Sequence, residues 1–130
     1  MSMNDPIASA LSLMLNAEKG GQRECLLKPR SRLLKQLLAL LQHRGYVQDI
    51  AEVADGKGGY LKVKLSGTIN KCGVIKPRFS VGIRDYEKFE RRYLPAKDFG
   101  ILIVSTSKGI MAHTEAKAQN LGGRLLVYCY

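Results

Sequence analysis

The chain has 130 residues, enough for one domain or two small ones. Its 21 Lys and Arg residues outnumber 11 Asp and Glu residues. The resulting formal net charge of +10 favours a polyanionic partner, nucleic acid first and an anionic membrane surface second. The longest apolar runs, Leu37–Leu41 and Ile101–Val104, are far shorter than the roughly 20 residues that span a membrane. No secretory signal is expected at the N-terminus, and three cysteines without a CxxC pair favour reduced thiols in the cytosol.

The first half of the chain contains two segments with apolar residues at helical spacing and three short segments typical of strands. Asp5 and Ser31 are expected to cap the helices, and glycines follow both of them. The predicted elements are, in chain order, a helix from Pro6 to Gly20, a strand over Arg23–Lys28, a helix from Ser31 to Gly45, and strands over Tyr46–Ala54 and Leu61–Leu65. Leu61, Val63 and Leu65 alternate with lysines, so the last strand is expected to be apolar on one face and basic on the other.

The second half begins with a segment of little periodicity, residues 67–77, near which we place a domain boundary. The continuous apolar run in Ile101–Thr106 is typical of a strand buried on both faces. The elements predicted around it are a strand over Arg78–Arg84 with Phe79, Val81 and Ile83 inward, a short helix before Pro95, a helix capped by Thr114, and a final strand over Leu125–Tyr130.

These elements predict an α+β fold. Residues 1–67 form an N-terminal α/β domain of order α-β-α-β-β, because two amphipathic helices can cover one face of a small sheet. Residues 68–130 form a C-terminal domain, mostly β with short helices, which carries the segment Ser105–Gly109.

A basic cluster lies at the start of the second helix, where Lys28, Arg30 and Arg32 surround Ser31. Basic side chains there oppose the positive end of the helix dipole, so folding alone favours acids. The cluster is explained if an external anion such as phosphate binds there. A solvated turn is the alternative interpretation.

Two long stretches of the sequence, residues 25–48 and 56–84, contain basic residues and no acid. Lys71 lies in the second stretch and is predicted to face phosphate. Cys72 beside it could have a lowered thiol pKa, but no histidine or oxyanion site accompanies it, so a structural cysteine is favoured.

A compact polar segment, Ser105–Gly109, follows the most apolar strand. Ser105, Thr106 and Ser107 can donate to and accept from base edges, ribose hydroxyls and phosphates, Lys108 adds a cation, and Gly109 permits close backbone approach. An ordinary Ser/Thr turn is the alternative. The spacing does not match a phosphate-binding P-loop.

Other residues capable of chemistry form no catalytic constellation. Aromatic residues at strand positions are more often core, although five of them could stack on bases: Tyr60, Phe79, Tyr86, Tyr128 and Tyr130. His113 lies near Glu115, but neither a third member nor a nucleophile accompanies the pair.

Several motifs resemble the universal family of the eighth protein of the small ribosomal subunit, in its archaeal and eukaryotic branch, over nearly the full length. The matching segments are Gly100–Met111, Glu115–Lys117, Asn70–Phe79, Leu94–Pro95, Gly122–Gly123, Asp5–Ala8, Asn16–Ala17, Lys28–Pro29 and Ser31. Departures are Arg30 and Arg32, where a small residue and a lysine are expected, and Cys129.

The resemblance implies a primary RNA-binding protein of two packed α/β domains, located in the cytoplasm within the small subunit. It would recognise a stem with an irregular internal loop in the central domain of small-subunit rRNA, and it would contact neighbouring ribosomal proteins without a cofactor, small-molecule substrate or membrane. The Ser105–Gly109 loop would contact the internal loop, and the segment Lys28–Arg32 a neighbouring part of the stem. The predicted RNA-binding residues are Lys28, Arg30, Ser31, Arg32, Lys71, Ser105, Thr106, Ser107, Lys108 and Gly109.

Two other classes remain open from the residues alone. A small nuclease acting on nucleic acid would need paired acids, which no plausible site supplies. A basic membrane-surface protein would need an amphipathic helix with a lysine-rich polar face, whereas the basic residues lie largely in predicted strands and turns.

Overall fold

The computed structural model describes residues 6–27, 32–54, 56, 59–76, 78–96 and 99–130. The chain divides into two compact units, the first ending at Asn70 and the second beginning at Lys71. The predicted boundary after residue 67 lies three residues before this division. Helices and antiparallel sheets occur together, so the predicted α+β class is confirmed.

The first unit follows the predicted order α-β-α-β-β. Its elements are α1 Pro6–Lys19, β1 Glu24–Leu27, α2 Arg32–His43, β2 Val47–Val53 and β3 Tyr60–Leu65. The strands form an antiparallel sheet in the order β1-β3-β2. The expected caps Asp5 and Ser31 lie outside the described residues.

The apolar stripes of the two helices form the core of this unit with β3. The buried residues include Ile7, Ala10, Leu11 and Met14 of α1, Leu34, Leu37, Leu38 and Leu41 of α2, and Leu61, Val63 and Leu65 of β3. Lys62 and Lys64 are exposed, which confirms the alternation predicted for β3. Burial of each large aliphatic side chain contributes about 1.5–3 kcal/mol, so these stripes stabilise the helices far more than helix propensity does.

The second unit contains more strand than helix. Its elements are β4 Cys72–Val74, β5 Ser80–Val81, α3 Tyr86–Tyr93, β6 Ile101–Thr106, β7 Gly109–Ala112, α4 His113–Ala118 and β8 Gly123–Cys129. The sheet has the order β4-β8-β6-β7, and β5 also pairs with β8. Residues 101–104 of β6 are all at most 1% exposed, as predicted for a strand buried on both faces.

Two predictions in this unit are wrong. The strand predicted over residues 78–84 is limited to β5, and Ile83 is 45% exposed rather than inward. The strand stops because a turn begins at Gly82, whose N–H donates to the Asp85 carboxylate at 2.9 Å. Thr114 does not cap α4, because β7 runs directly into this helix and Ala112 occupies the cap position.

Candidate nucleic-acid interface

The segment Ser105–Gly109 is the tip of the β6–β7 hairpin. Thr106 pairs with Gly109, so Ser107 and Lys108 alone form the turn. Among the described non-glycine residues only Asn120 has a positive φ, which excludes the mirror-image turns usual for two-residue loops. The positive φ instead falls on Gly109, at 108°, where a residue with a Cβ would be strained. The tip therefore requires glycine for its backbone conformation, a reason different from the close backbone approach expected from the sequence.

The three hydroxyls of this tip have different roles. Thr106 Oγ1 donates to the carbonyl oxygen of Gly109 at 2.8 Å and accepts the N–H of Lys108 at 3.1 Å. The hydroxyl proton of Thr106 is therefore already donated within the turn, and these two side-chain-to-backbone hydrogen bonds stabilise the turn. Ser105 and Ser107 are exposed, as is Lys108. The polar groups presented to a ligand are therefore those of Ser105, Ser107 and Lys108.

The register of the sheet adds two residues to this site that the sequence analysis did not select. Ser105 is directly opposite Arg124 of β8, and Arg124 is directly opposite Ser80 of β5. Directly opposed residues of antiparallel strands lie on the same face with Cβ atoms about 4.5–5.5 Å apart. All three are exposed, so they form a row, Ser80–Arg124–Ser105, beside the hairpin tip. Strand pairing creates this row, and no local pattern could have shown it.

Lys71 lies at the opposite end of the same sheet. Its N–H and carbonyl group exchange hydrogen bonds of 2.9 Å with those of Tyr130. Tyr130 is six residues beyond Arg124 along β8, which at about 3.3 Å per residue is roughly 20 Å. Lys71 is exposed, but it does not belong to the hairpin site and could meet RNA only as a separate contact.

The predicted basic cluster belongs to the first unit and is only partly described. Arg32 is the first residue of α2 and is exposed, and the first turn of that helix has no acidic residue. Lys28, Arg30 and Ser31 lie outside the described residues. The absence of acid in this turn keeps its positive dipole end available to an anion.

The acid-free stretches of sequence do not form an acid-free surface. Lys62 Nζ lies 3.3 Å from a carboxylate oxygen of Glu24 on the adjacent strand, and Lys64 is paired across the sheet with Glu24 on one side and Asp49 on the other. In the other stretch, Lys35 forms an ion pair of 2.6 Å with a carboxylate of β2. The outer face of the first sheet is therefore of mixed charge, and the lysines of β3 are poor candidates for phosphate contacts.

The tyrosines considered for base stacking are partly core residues. Tyr86 is fully buried, and its hydroxyl donates to the carbonyl oxygen of Leu121 at 2.8 Å. Burial also raises the pKa of its phenol. Tyr128 stacks on Tyr93 and Tyr130 at centroid distances of 5.4 and 6.4 Å, and all three pack against the core of the unit.

The remaining candidates for chemistry are structural. His113 is buried, and its Nε2 lies 3.1 Å from Oε1 of Glu90, not beside the exposed Glu115. Cys72 is buried and directly opposite Cys129. Within the described ranges, no group of three or more His, Cys, Asp or Glu residues could hold a metal ion, and no helix has the length and apolar character to cross a membrane.

Comparison with known families assigns the chain. The family model of ribosomal protein S8 matches residues 5–130, which is nearly the whole chain. The chain belongs to the ribosomal protein S8 family. It is therefore a small-subunit ribosomal protein that binds rRNA, and the family is one of structural ribosomal proteins. The match confirms the resemblance noted from the sequence motifs and includes both the hairpin tip and the Arg32 end of α2.

Proposed function

We propose that this S8 protein is a primary rRNA-binding protein that recognises a stem with an irregular internal loop in the central domain of small-subunit rRNA. By holding that stem it supports assembly of the subunit and translation in the cytoplasm. The observation that carries the proposal is the hairpin tip, which presents Ser105, Ser107 and Lys108 from a strand whose base is fully buried.

The chemistry of this site suits irregular RNA better than a regular duplex. The A-form major groove is too narrow for side chains, and the shallow minor groove presents ribose 2′-OH groups in much the same way along any duplex. Short hydroxyls therefore reach the Watson–Crick edges of bases only where the helix is distorted and bases are unpaired. Ser105 and Ser107 provide such hydroxyls on a rigid support. Lys108 and Arg124 flank them with charge for phosphate, Arg124 in two parallel hydrogen bonds where geometry allows.

Other contacts complete the proposed interface. The segment Lys28–Arg32 contacts a neighbouring part of the stem, where phosphate would meet the start of α2. Lys71 is a separate phosphate contact, and Thr106 and Gly109 shape the hairpin tip. Neighbouring small-subunit proteins are the other partners, and binding needs no cofactor, small-molecule substrate or membrane.

The test compares an rRNA stem containing its internal loop with the same stem made fully paired. The double variant Ser105→Ala/Ser107→Ala should lose about 1–3 kcal/mol of binding to the first RNA and little on the second, because hydrogen bonds are lost and charge is kept. Ser12→Ala/Ser66→Ala, which removes two exposed hydroxyls elsewhere, is the matched control. Equal losses on both RNAs for the hairpin variant would show that the tip does not read the irregular site.

A second measurement separates charge from shape. Lys108→Ala and Arg124→Ala should weaken binding to both RNAs and reduce the slope of log K against log salt, by about one for each phosphate contact removed. Lys62→Ala, which removes a lysine already paired with Glu24, should leave the slope unchanged.

RNA recovered intact after incubation with Mg²⁺ would count against the nuclease alternative, and cleavage would count against the proposal.

A further inference from the structure

Three charged or titratable side chains meet inside the second unit, behind the hairpin. His113 and Glu90 are 3% and 7% exposed. Glu90 Oε1 lies 3.1 Å from His113 Nε2 and 2.6 Å from Lys117 Nζ. A buried carboxylate is costly without partners, and here it has two of them. The cluster joins α3, which carries Glu90, to α4, which carries the other two.

The second nitrogen of the imidazole contacts the strand that leads to the hairpin tip. Leu102 of β6 donates its backbone N–H to His113 Nδ1 at 3.0 Å. Since Nδ1 accepts this bond, it carries no proton, and the proton of the neutral ring is on Nε2, which donates to Glu90. The two nitrogens of one side chain thus have two distinct partners, one in β6 and one in α3.

The position of this bond in the sheet gives it a particular role. The β6–β7 ladder pairs Ile103 with Ala112, so the next pair would join Leu102 and His113. The chain turns into α4 at His113, and its backbone can no longer continue the ladder. The Leu102 N–H would have donated to the backbone of the residue that follows β7, and it donates to the imidazole of His113 instead. A side chain thus adds one hydrogen bond to the hairpin ladder at its root.

We propose that His113 is a positioning residue for RNA recognition: through Nδ1 it holds β6 at the root of the hairpin, and so sets where Ser105 and Ser107 meet the RNA. The inference rests on the proposed function of the tip. Ser105 is three residues beyond Leu102 on the same strand, about 10 Å at the usual rise, so a small rotation at the root displaces the tip. Glu90 and Lys117 fix the ring that makes this contact.

Two substitutions test the hydrogen bonds of the two imidazole nitrogens one at a time. In His113→Asn the amide oxygen can occupy the place of Nδ1 and accept from Leu102, but the side chain is too short to reach Glu90. In His113→Gln the amide nitrogen can occupy the place of Nε2 and donate to Glu90, but nothing accepts from Leu102. Both changes remove the ring. Asn is the smaller replacement, so the larger packing defect falls on the variant that is expected to keep the preference. The exposed Glu115→Gln on the same helix is the control.

The experiment measures binding of each variant to the stem with its internal loop and to the fully paired stem, in a stabilising osmolyte, with circular dichroism to confirm folding. We expect His113→Asn to keep the preference for the internal loop. We measure the preference as the ratio of the affinities for the two stems. In His113→Gln this ratio should fall about fivefold, the equivalent of one net hydrogen bond. The Leu102 amide hydrogen of this variant should also exchange faster with solvent. A merely structural histidine would lower the melting temperature in both variants and leave the preference of the folded protein unchanged.

Each outcome bears on the proposal. An equal preference in the two variants, whether both keep it or both lose it, would overturn the positioning role. Failure of His113→Gln to fold in osmolyte, with His113→Asn folded, would also overturn it, because the bond would then be needed for folding. The serine double variant of the tip distinguishes the two proposals: if that variant keeps the preference, the proposed function fails first; if it loses the preference while His113→Gln keeps it, only the positioning role fails.

Discussion

The close approach of β8 to β6 beside the hairpin tip provides a sharp test of the fold. Gly123 precedes Arg124, and a Cβ built on it would lie 2.1 Å from the carbonyl oxygen of Ser105 and 2.9 Å from its carbonyl carbon. Both contacts are with backbone, so no side-chain rotation relieves them. Gly123→Ala therefore forces the two strands apart at the residue whose side chain is proposed to contact RNA.

The magnitude follows from the geometry. An ordinary Cβ contact begins at 3.4 Å, so the strands must separate locally by about 1.3 Å. Overpacking of this kind costs about 1–3 kcal/mol, and loss of one backbone hydrogen bond adds about 1 kcal/mol. We expect the free energy of unfolding to fall by about 2–4 kcal/mol. With an unfolding entropy near 2.1 cal/mol/K per residue, a chain of 130 residues should melt about 7–15 °C lower.

The assay is thermal and urea unfolding of Gly123→Ala beside Gly82→Ala. Gly82 has a negative φ of −90°, and a Cβ there would meet only the Asp85 carboxylate at an ordinary 3.5 Å, so this control should be neutral or slightly stabilised. Below its melting temperature, Gly123→Ala should also lose preference for the internal-loop stem, because Ser105 is displaced. A Gly123→Ala protein as stable as the wild type would refute the register of β6 and β8.

Three further predictions concern single side chains. Tyr86→Phe should lower the free energy of unfolding, measured in urea, by about 1 kcal/mol, because the carbonyl oxygen of Leu121 loses its donor. Tyr93→Phe should not, because the Tyr93 hydroxyl has no such bond to any residue that the structure describes. Burial raises the pKa of the Cys25 thiol from 9.0 to about 11. The reactive thiolate fraction at pH 8 is therefore smaller in the folded chain, and alkylation of Cys25 should be about a hundredfold slower there than in the urea-unfolded chain. The rate in the folded chain should rise as the pH approaches 11, and equal rates at pH 8 would contradict the prediction. Lys62→Ala should change the melting temperature very little, since an exposed ion pair contributes at most about 1 kcal/mol; a loss of several degrees would contradict its placement on the outer face.

The first unit was predictable because each of its elements carries its own signal. The leucine stripe of α2 and the alternation of β3 each repeat over at least six residues, and the interior they predict is the interior found. Such patterns are local, and burial of one face is enough to produce them. The second unit was predicted less well because β4 and β5 have three and two residues, too few to show a period. Their pairing with β8 defines them as strands.

The same distinction explains how much of the proposed RNA site could be predicted from the sequence. The hydroxyl-rich tip was visible because its residues are consecutive and one turn displays them. Arg124 and Ser80 could not be linked to it, since only the register of three strands places them beside Ser105. His113 was judged by its neighbour Glu115, although its partner Glu90 is 23 residues earlier in the chain.

The distribution of charge shows why net charge is a weaker guide to the interface than the sheet is. A run of sequence without acids predicts a basic surface only if its neighbours in space are also without acids. In the first sheet that condition fails, because Glu24 and Asp49 flank Lys64 on either side. Beside the hairpin, in contrast, Arg124 lies between two serines, whose hydroxyls leave its charge uncompensated across the row. The net charge of +10 attracts RNA to the protein from a distance. The row beside the tip combines positive charge with hydroxyl groups, which is why we propose it, rather than the first sheet, as the RNA contact.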